Sequence, residues 1–241
     1  MQIWSHHHKI YSWWFRFRNH RKLGNPCKTD LVLDRDGYSL GYSFDRKCAL
    51  WASYTISKRS VQIDVERELR FYSDTDIPSK HRVYPTDFRN SGYDKGHLAP
   101  SGSIDFSRRG NRQTFLMSNI ALQHPELNRH GWQALEKTIR CWTRNKGILS
   151  VVTGPIYGKR SKHVNGIPVP RRFYKVIYSF NHNKCIGFVM PNRLVNADKM
   201  WRHAMSVQNV EQETGYNFFN KLYWWKRRCK SRLDMDWWRY D

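Results

Sequence analysis

The order of apolar and polar positions along the chain reads first as short strands. Residues 38–44 and 48–56 are aromatic and β-branched, and the polar run Asp45-Arg46-Lys47 between them predicts a hairpin. Residues 114–122 form a third apolar run, with Ser118-Asn119 set inside it, and residues 147–156 a fourth that closes on Gly154-Pro155. Residues 173–180 and 185–190 predict an antiparallel pair turning at Asn181-His182-Asn183.

The period changes after Pro125. From near Leu127 to Gly147 the spacing is helical: at about 100° per residue, Trp132, Leu135, Ile139 and Trp142 fall within about 80° of one another. Asn128, Glu136 and Arg140 run along one edge of that face. A shorter helix is predicted over residues 206–214, stopped by Gly215. Strands flanking one long helix predict an α+β domain, an antiparallel sheet with that helix against it, over residues 26–220.

The two ends differ from this centre. Residues 1–25 interleave Trp4, Trp13, Trp14 and other aromatics with five Lys or Arg and no acid. Residues 221–241 repeat the flavour with Trp224-Trp225, Lys226-Arg227-Arg228 and Trp237-Trp238. Each reads as an extension that either packs on the domain or grips a nucleic acid, a membrane surface or a protein.

Charge sharpens the choice of partner. The 241 residues carry 42 Lys+Arg against 20 Asp+Glu, a net charge of +22. Such a surplus favours a polyanion, and with aromatics at 15% it suits phosphates and bases. No run approaches the roughly 18 apolar residues of a membrane helix. The best candidate for a signal peptide, residues 10–17, is cut by Ser12 and Arg16. An intracellular location is therefore expected, unless the chain is a processed mature form. The five cysteines show neither a CxxC pair nor a zinc pattern, and they permit disulfides without demanding any. The run His6 to His8 is read as incidental rather than as a metal site.

The segment Tyr93-Asp94-Lys95-Gly96-His97-Leu98-Ala99-Pro100 is the most pointed one. Its histidine lies between a glycine that permits a tight bend and a proline that ends a strand. By itself such a histidine is more often structural than catalytic. Its company changes that reading: Ser118-Asn119 follows, then Leu127-Asn128, Trp132, Leu135-Glu136 and Arg140. In this order and spacing the chain resembles the DNA/RNA non-specific endonucleases of the ββα-metal (His-Me finger) class. Segments around residues 38–51, 153–155, 173–176 and 190–192 resemble that family too, so the likeness covers roughly residues 26–220.

The resemblance implies a Mg²⁺-dependent, sugar-non-specific endonuclease acting on DNA and RNA, with Mn²⁺ as a substitute metal. His97 would be the general base, a role suited to a side chain that titrates near neutrality. Asn128 would be the direct ligand of a Mg²⁺ that keeps most of its waters, with Asp94 and Glu136 acting through water. Arg140 and Arg70 would hold phosphate, Arg70 by its approximate spacing upstream. Asn119 would fix the geometry near the base, or merely cap strand ends. Glu136 also reads as a surface residue paired with Arg140 at i,i+4.

One position departs from the family pattern: Lys95 stands where the family has arginine. It keeps the charge without the bidentate fork. Lys95 would then hold phosphate as a point charge, or mark a branch with altered activity. Two other classes of reading stay open, a catalytically weakened nucleic-acid-binding homologue and a module anchored to a membrane or partner. An inhibitor or anchoring protein is a candidate partner in either case.

Overall fold

In the computed structural model, which describes residues 20–240, β1 (Leu31–Asp34), β2 (Ser39–Ser43) and β3 (Cys48–Ile56) form an antiparallel meander. The predicted hairpin turns at Lys47, which takes a left-handed φ of 46°. The chain then runs through β4 (Asp94–His97), helix α1 (Arg108–Thr114), β5 (Ile120–Gln123) and helix α2 (Gln133–Lys146). There follow β6 (Leu149–Ile156), the short pair β7 (His163–Val164) and β8 (Ile167–Pro168), β9 (Arg172–Ser179), β10 (Lys184–Pro191) and β11 (Ala204–Met205). Helices α3 (Val207–Thr214) and α4 (Met235–Arg239) complete it. Seven strands make one sheet in the order β1-β2-β3-β6-β9-β10-β11. The β4-β5 hairpin stands apart from it.

The pair predicted over residues 173–190 forms as β9 and β10, with Phe173 opposite Met190 and Ser179 opposite Lys184. Alternation along β9 sends Phe173 and Ile177 to one face, where they join Leu135, Ile139 and Trp142 of α2. Tyr174, Val176 and Tyr178 point to the other face, which α3 and the chain after it cover. Because both faces are buried, β9 reads as an almost unbroken apolar run. Burying each large apolar side chain in these layers stabilises by about 1.5–3 kcal/mol. α3 is capped as its sequence predicts: Ser206 Oγ accepts the Asn209 N–H at 3.1 Å, and Gly215 ends it at φ 73°.

Two local expectations change. Residues 114–122 are not one strand. Thr114 ends α1, a 3-10 turn occupies Met117–Asn119, and only Ile120–Gln123 is extended. The polar pair forces the turn: Ser118 Oγ donates to Asp74 at 2.5 Å, and the Asn119 side chain bonds three backbone groups. All five cysteines are free thiols, so no disulfide supports this fold.

Trp4, Trp13, Trp14 and the His6–His8 run lie outside the described residues. His20 and Leu23 are buried on the sheet, where Ser53 Oγ donates to the His20 carbonyl at 2.6 Å. The chain after residue 220 also packs: Leu222 and Cys229 are buried on the face opposite α2, and Trp238 lies fully buried 4.5 Å from Trp142 on the helix face. Among the described residues no helix is long and apolar enough to cross a membrane.

Candidate active site

The β4-β5 hairpin pairs Asp94 with Gln123, Lys95 with Leu122, Gly96 with Ala121 and His97 with Ile120. Gly96 serves closeness rather than bending. It sits within the strand, and a Cβ there would lie 2.4 Å from Gln123 Oε1. Lys95 and His97 share one face of β4 and the Phe71 ring, the ammonium 5.3 Å and the imidazole 5.5 Å from its centre. Asp94 reaches across to the start of the long helix. Its carboxylate accepts from Asn128 Nδ2 at 2.9 Å and from Arg129 Nε and Nη2 at 2.9 and 2.8 Å. An ionised carboxylate can only accept, so the amide nitrogen must face it and Asn128 Oδ1 is left for another partner.

His97 is wedged against Phe71 and Phe115, the latter ring 4.8 Å away and edge-on. Its Nε2 is buried and has no hydrogen-bond partner among the described residues. Burial, and then the charge of Arg67, push its pKa down to about 3. The near-neutral titration expected from sequence is therefore wrong for this pocket: a low-dielectric site disfavours the imidazolium. Asn119 does not bond the ring in any contact of the structure. Its amide instead accepts the Ala99 N–H at 2.9 Å and donates to the carbonyls of Ala99 and Thr114 at 2.9 and 2.8 Å. With Leu98 N–H donating to the Asn119 carbonyl at 2.9 Å, the backbone just after His97 is clamped.

The helix that carries Asn128 opens with a π-helical turn over Leu127–Trp132. There the Gly131 N–H leaves the helical ladder and donates to Val195 O at 2.8 Å. Any Cβ at Gly131 would strike that carbonyl at 2.7 Å. A wide turn takes about one residue out of the α-helical count, so Asn128 and Glu136 fall about 20° apart rather than about 80°.

Glu136 is not a surface residue paired with Arg140. Its side chain, 16% exposed, points down to Lys175 of β9, with Oε1 3.6 Å from Nζ. Lys175 is wholly buried, which is rare for lysine, and its Nζ lies 4.4 Å from the Trp132 ring centre. Burial shifts both pKa values toward the neutral forms. Glu136 is raised, and Lys175 is lowered to about 8, each offset by the other's charge. Arg140, half-buried one turn beyond Glu136, adds a positive charge that works against the rise at Glu136.

Arg70 is not drawn into this group. It is exposed, and its backbone N–H donates to Glu68 Oε1 at 3.0 Å. Arg67, also exposed, lies closer to the group: its guanidinium is 5.6 Å from the Phe115 ring centre, and its charge acts on both His97 and Glu136. Spacing alone could not separate two arginines three residues apart in a stretch without regular structure. Arg129 and Lys175 were also missed. A lone lysine inside the strand sequence FYKVIYS was the available signal for the second.

The oxygen donors of this group, Asn128 Oδ1 with the carboxylates of Asp94 and Glu136, suit a hard cation such as Mg²⁺ rather than a soft one. Among the described residues no three of His, Cys, Asp and Glu cluster as a protein-only metal cage. That is compatible with one amide ligand and a shell of waters.

A hairpin bearing a histidine, docked on a helix bearing an asparagine and a buried glutamate, defines a ββα-metal nuclease fold. The sequence profile of the DNA/RNA non-specific endonuclease family matches residues 18–223, and the chain belongs to that family. It is 31% identical over 227 residues to a nuclease of Syncephalastrum racemosum, covering 83% of this chain and 71% of that one. Human mitochondrial endonuclease G is 30% identical over 214 residues, covering 82% of this chain and 72% of its own length. The crystal structure of an EndoG/EndoGI complex matches with a TM-score of 0.79 at 27% identity, over 86% of this chain and 93% of that one.

Proposed function

We propose that the protein is a Mg²⁺-dependent endonuclease that hydrolyses phosphodiester bonds in DNA and RNA without regard to the sugar, with His97 as general base. The observation that supports this most directly is the hairpin strand that carries His97 together with Asp94, whose bond to Asn128 Nδ2 leaves Asn128 Oδ1 free for a cation. Depression of the His97 pKa keeps the ring unprotonated at neutral pH, so the imidazole is available to accept a proton from an attacking water. A low pKa also means that the ring sheds that proton readily afterwards.

Asn128, oriented by Asp94, would hold the metal, and Asp94 and Glu136 would reach it through water. When bound, Mg²⁺ would offset the negative charge that develops on the phosphate. Arg67, Lys95 and Arg140 would place cations on the non-bridging oxygens. Arg129 locks Asp94, and through it the Asn128 amide. Recognition through phosphates carries no sequence information, in keeping with a non-specific enzyme of net charge +22. The inhibitor complex of the solved relative favours a protein inhibitor as one partner class. Plasmid nicking with and without EDTA, for the parent and His97→Ala, tests the proposal. Loss of about 10²- to 10⁴-fold in the variant is expected for a lost general base; cleavage that survives EDTA, or a fully active variant, would refute it.

A further inference from the structure

Beyond Phe219 the chain crosses the face of the sheet opposite α2, anchored by Leu222 and Cys229, and then hooks round to bury Trp238 on the helix face. Between these anchors three rings stand in solvent. Tyr223, Trp224 and Trp225 are 65%, 78% and 53% exposed. Tyr223 and Trp225 stack face to face at 4.7 Å and 5°, and Trp224 stands edge-on to Trp225 at 5.8 Å. Exposed aromatic surface on this scale marks a contact site rather than a packing fault.

The surrounding charges divide into two sets. Arg227 donates to the carbonyls of Leu222 and Asn220 at 2.9 Å each, and Lys230 pairs with Glu211 at 2.6 Å. These hold the segment in shape. Lys221, Lys226, Arg228 and Arg232 make no ion pair among the described residues. Arg228 and Arg232 converge with Trp225, Asn183, Lys184 and Asp234 on a cavity of about 320 Å³. Its single acid, Asp234, is already engaged by Lys184 and by the Trp237 N–H. Two free guanidiniums beside an aromatic wall call for an anion with a planar neighbour.

We propose that this surface is a second nucleic-acid site, in which a single strand stacks its bases on Tyr223, Trp224 and Trp225 and sets a phosphate between Arg228 and Arg232. A single strand fits better than a duplex, because only unstacked bases can offer their faces to protruding rings. A membrane fits less well, since among the described residues after Phe219 Leu233, at 37% exposure, is the one exposed aliphatic side chain. The site lies at the far end of α2 from Glu136. Asn183 and Lys184 of the cavity follow Asn181, whose Oδ1 accepts the Ile148 N–H at 3.0 Å just past the C-terminus of α2. The ten residue steps from Glu136 to Lys146 span about 15 Å along the α2 axis. Only longer strands can occupy both places. The inference rests on the nuclease reading for its ligand class, and the test keeps the two separable.

Binding of fluorescein-labelled dT40 and dT6 is measured by anisotropy in a His97→Ala background, across a salt series, with thermal melts as the folding control. Trp224→Ala with Trp225→Ala should weaken dT40 about tenfold or more. Arg228→Gln with Arg232→Gln should lower the log–log salt slope by about 0.7, the value for one lost phosphate on a single strand. With His97 intact, cleavage of dT6 should not change in either pair of substitutions. Unchanged dT40 affinity and slope would overturn the proposal. So would sedimentation of the parent, but not the Trp224/Trp225 variant, with phosphatidylserine vesicles while dT40 binding stays equal. If the parent binds dT40 through these residues yet cleaves nothing, the second site stands and the nuclease reading falls.

Discussion

The Lys175–Glu136 pair offers the sharpest test of how the site is held. At 3.6 Å and an effective dielectric near 20, the two charges attract by about 5 kcal/mol. Desolvating them costs several kcal/mol per ion, so the intact pair adds little net stability. Removing one partner is another matter, because the survivor is left buried and alone. Lys175→Met keeps the volume over Trp132 and deletes the charge. With the carboxylate ionised, a loss of about 3–5 kcal/mol is expected.

Glu136 has an escape: it can take up a proton. Its folded pKa already lies above the ordinary 4.5, and loss of Lys175 raises it further. The folded state then binds more protons than the unfolded one between those two values, so stability falls as pH rises through that window. The variant should therefore be nearly as stable as the parent at pH 5 and clearly less stable at pH 8. Adding Glu136→Gln should restore part of the loss, with a coupling of about 0.5–3 kcal/mol in the double-mutant cycle. Urea unfolding of the four proteins at both pH values measures this, and the acid limb of cleavage against pH should move upward in Lys175→Met. Equal destabilisation at pH 5 and 8 with additive substitutions would refute the argument and leave Lys175 as packing alone.

Three further outcomes follow from the geometry. Arg67→Ala should lower cleavage by tenfold or more while Arg70→Ala leaves it near the parent, since only Arg67 acts on His97 and Glu136; equal losses in a steady-state assay would count against that choice. Asp94→Ala should free the Asn128 amide to rotate and weaken Mg²⁺ dependence, so coincident Mg²⁺ titration curves would show that the Asp94 bond does not orient the ligand. His20 accepts the Thr55 N–H at Nδ1 and is held neutral, its pKa lowered by burial from 6.5 to about 4. Between those values the unfolded state binds more protons, so stability should fall by about 3 kcal/mol as pH drops across the window, at ~1.36 per unit. His20→Gln should flatten that decline in thermal melts.

Much of this molecule is legible along the chain. β9 and β10 announce themselves because both faces of the sheet are covered, leaving no polar alternation to confuse the pattern. α3 is bounded by Ser206 and Gly215, which act on their own backbone within a few residues. The Asp94–His97 hairpin and the Asn128 and Glu136 spacing carry the family likeness for the same reason, since each is a local order of residues on one element. What lay beyond the sequence depends on segments far apart in it. Lys175 comes under Glu136 only because β9 runs beneath α2. Arg67 rather than Arg70 lies over Phe115 because an irregular stretch of chain passes that ring. The π-helical turn at Gly131 exists because a carbonyl from Val195 takes its N–H. The burial that lowers His97 to about 3 comes from Phe71 and Phe115 closing over the ring. Periodicity and capping act over a turn or two of chain, and so can be read from it. Desolvation and charge act through space, and only the packed structure sets them.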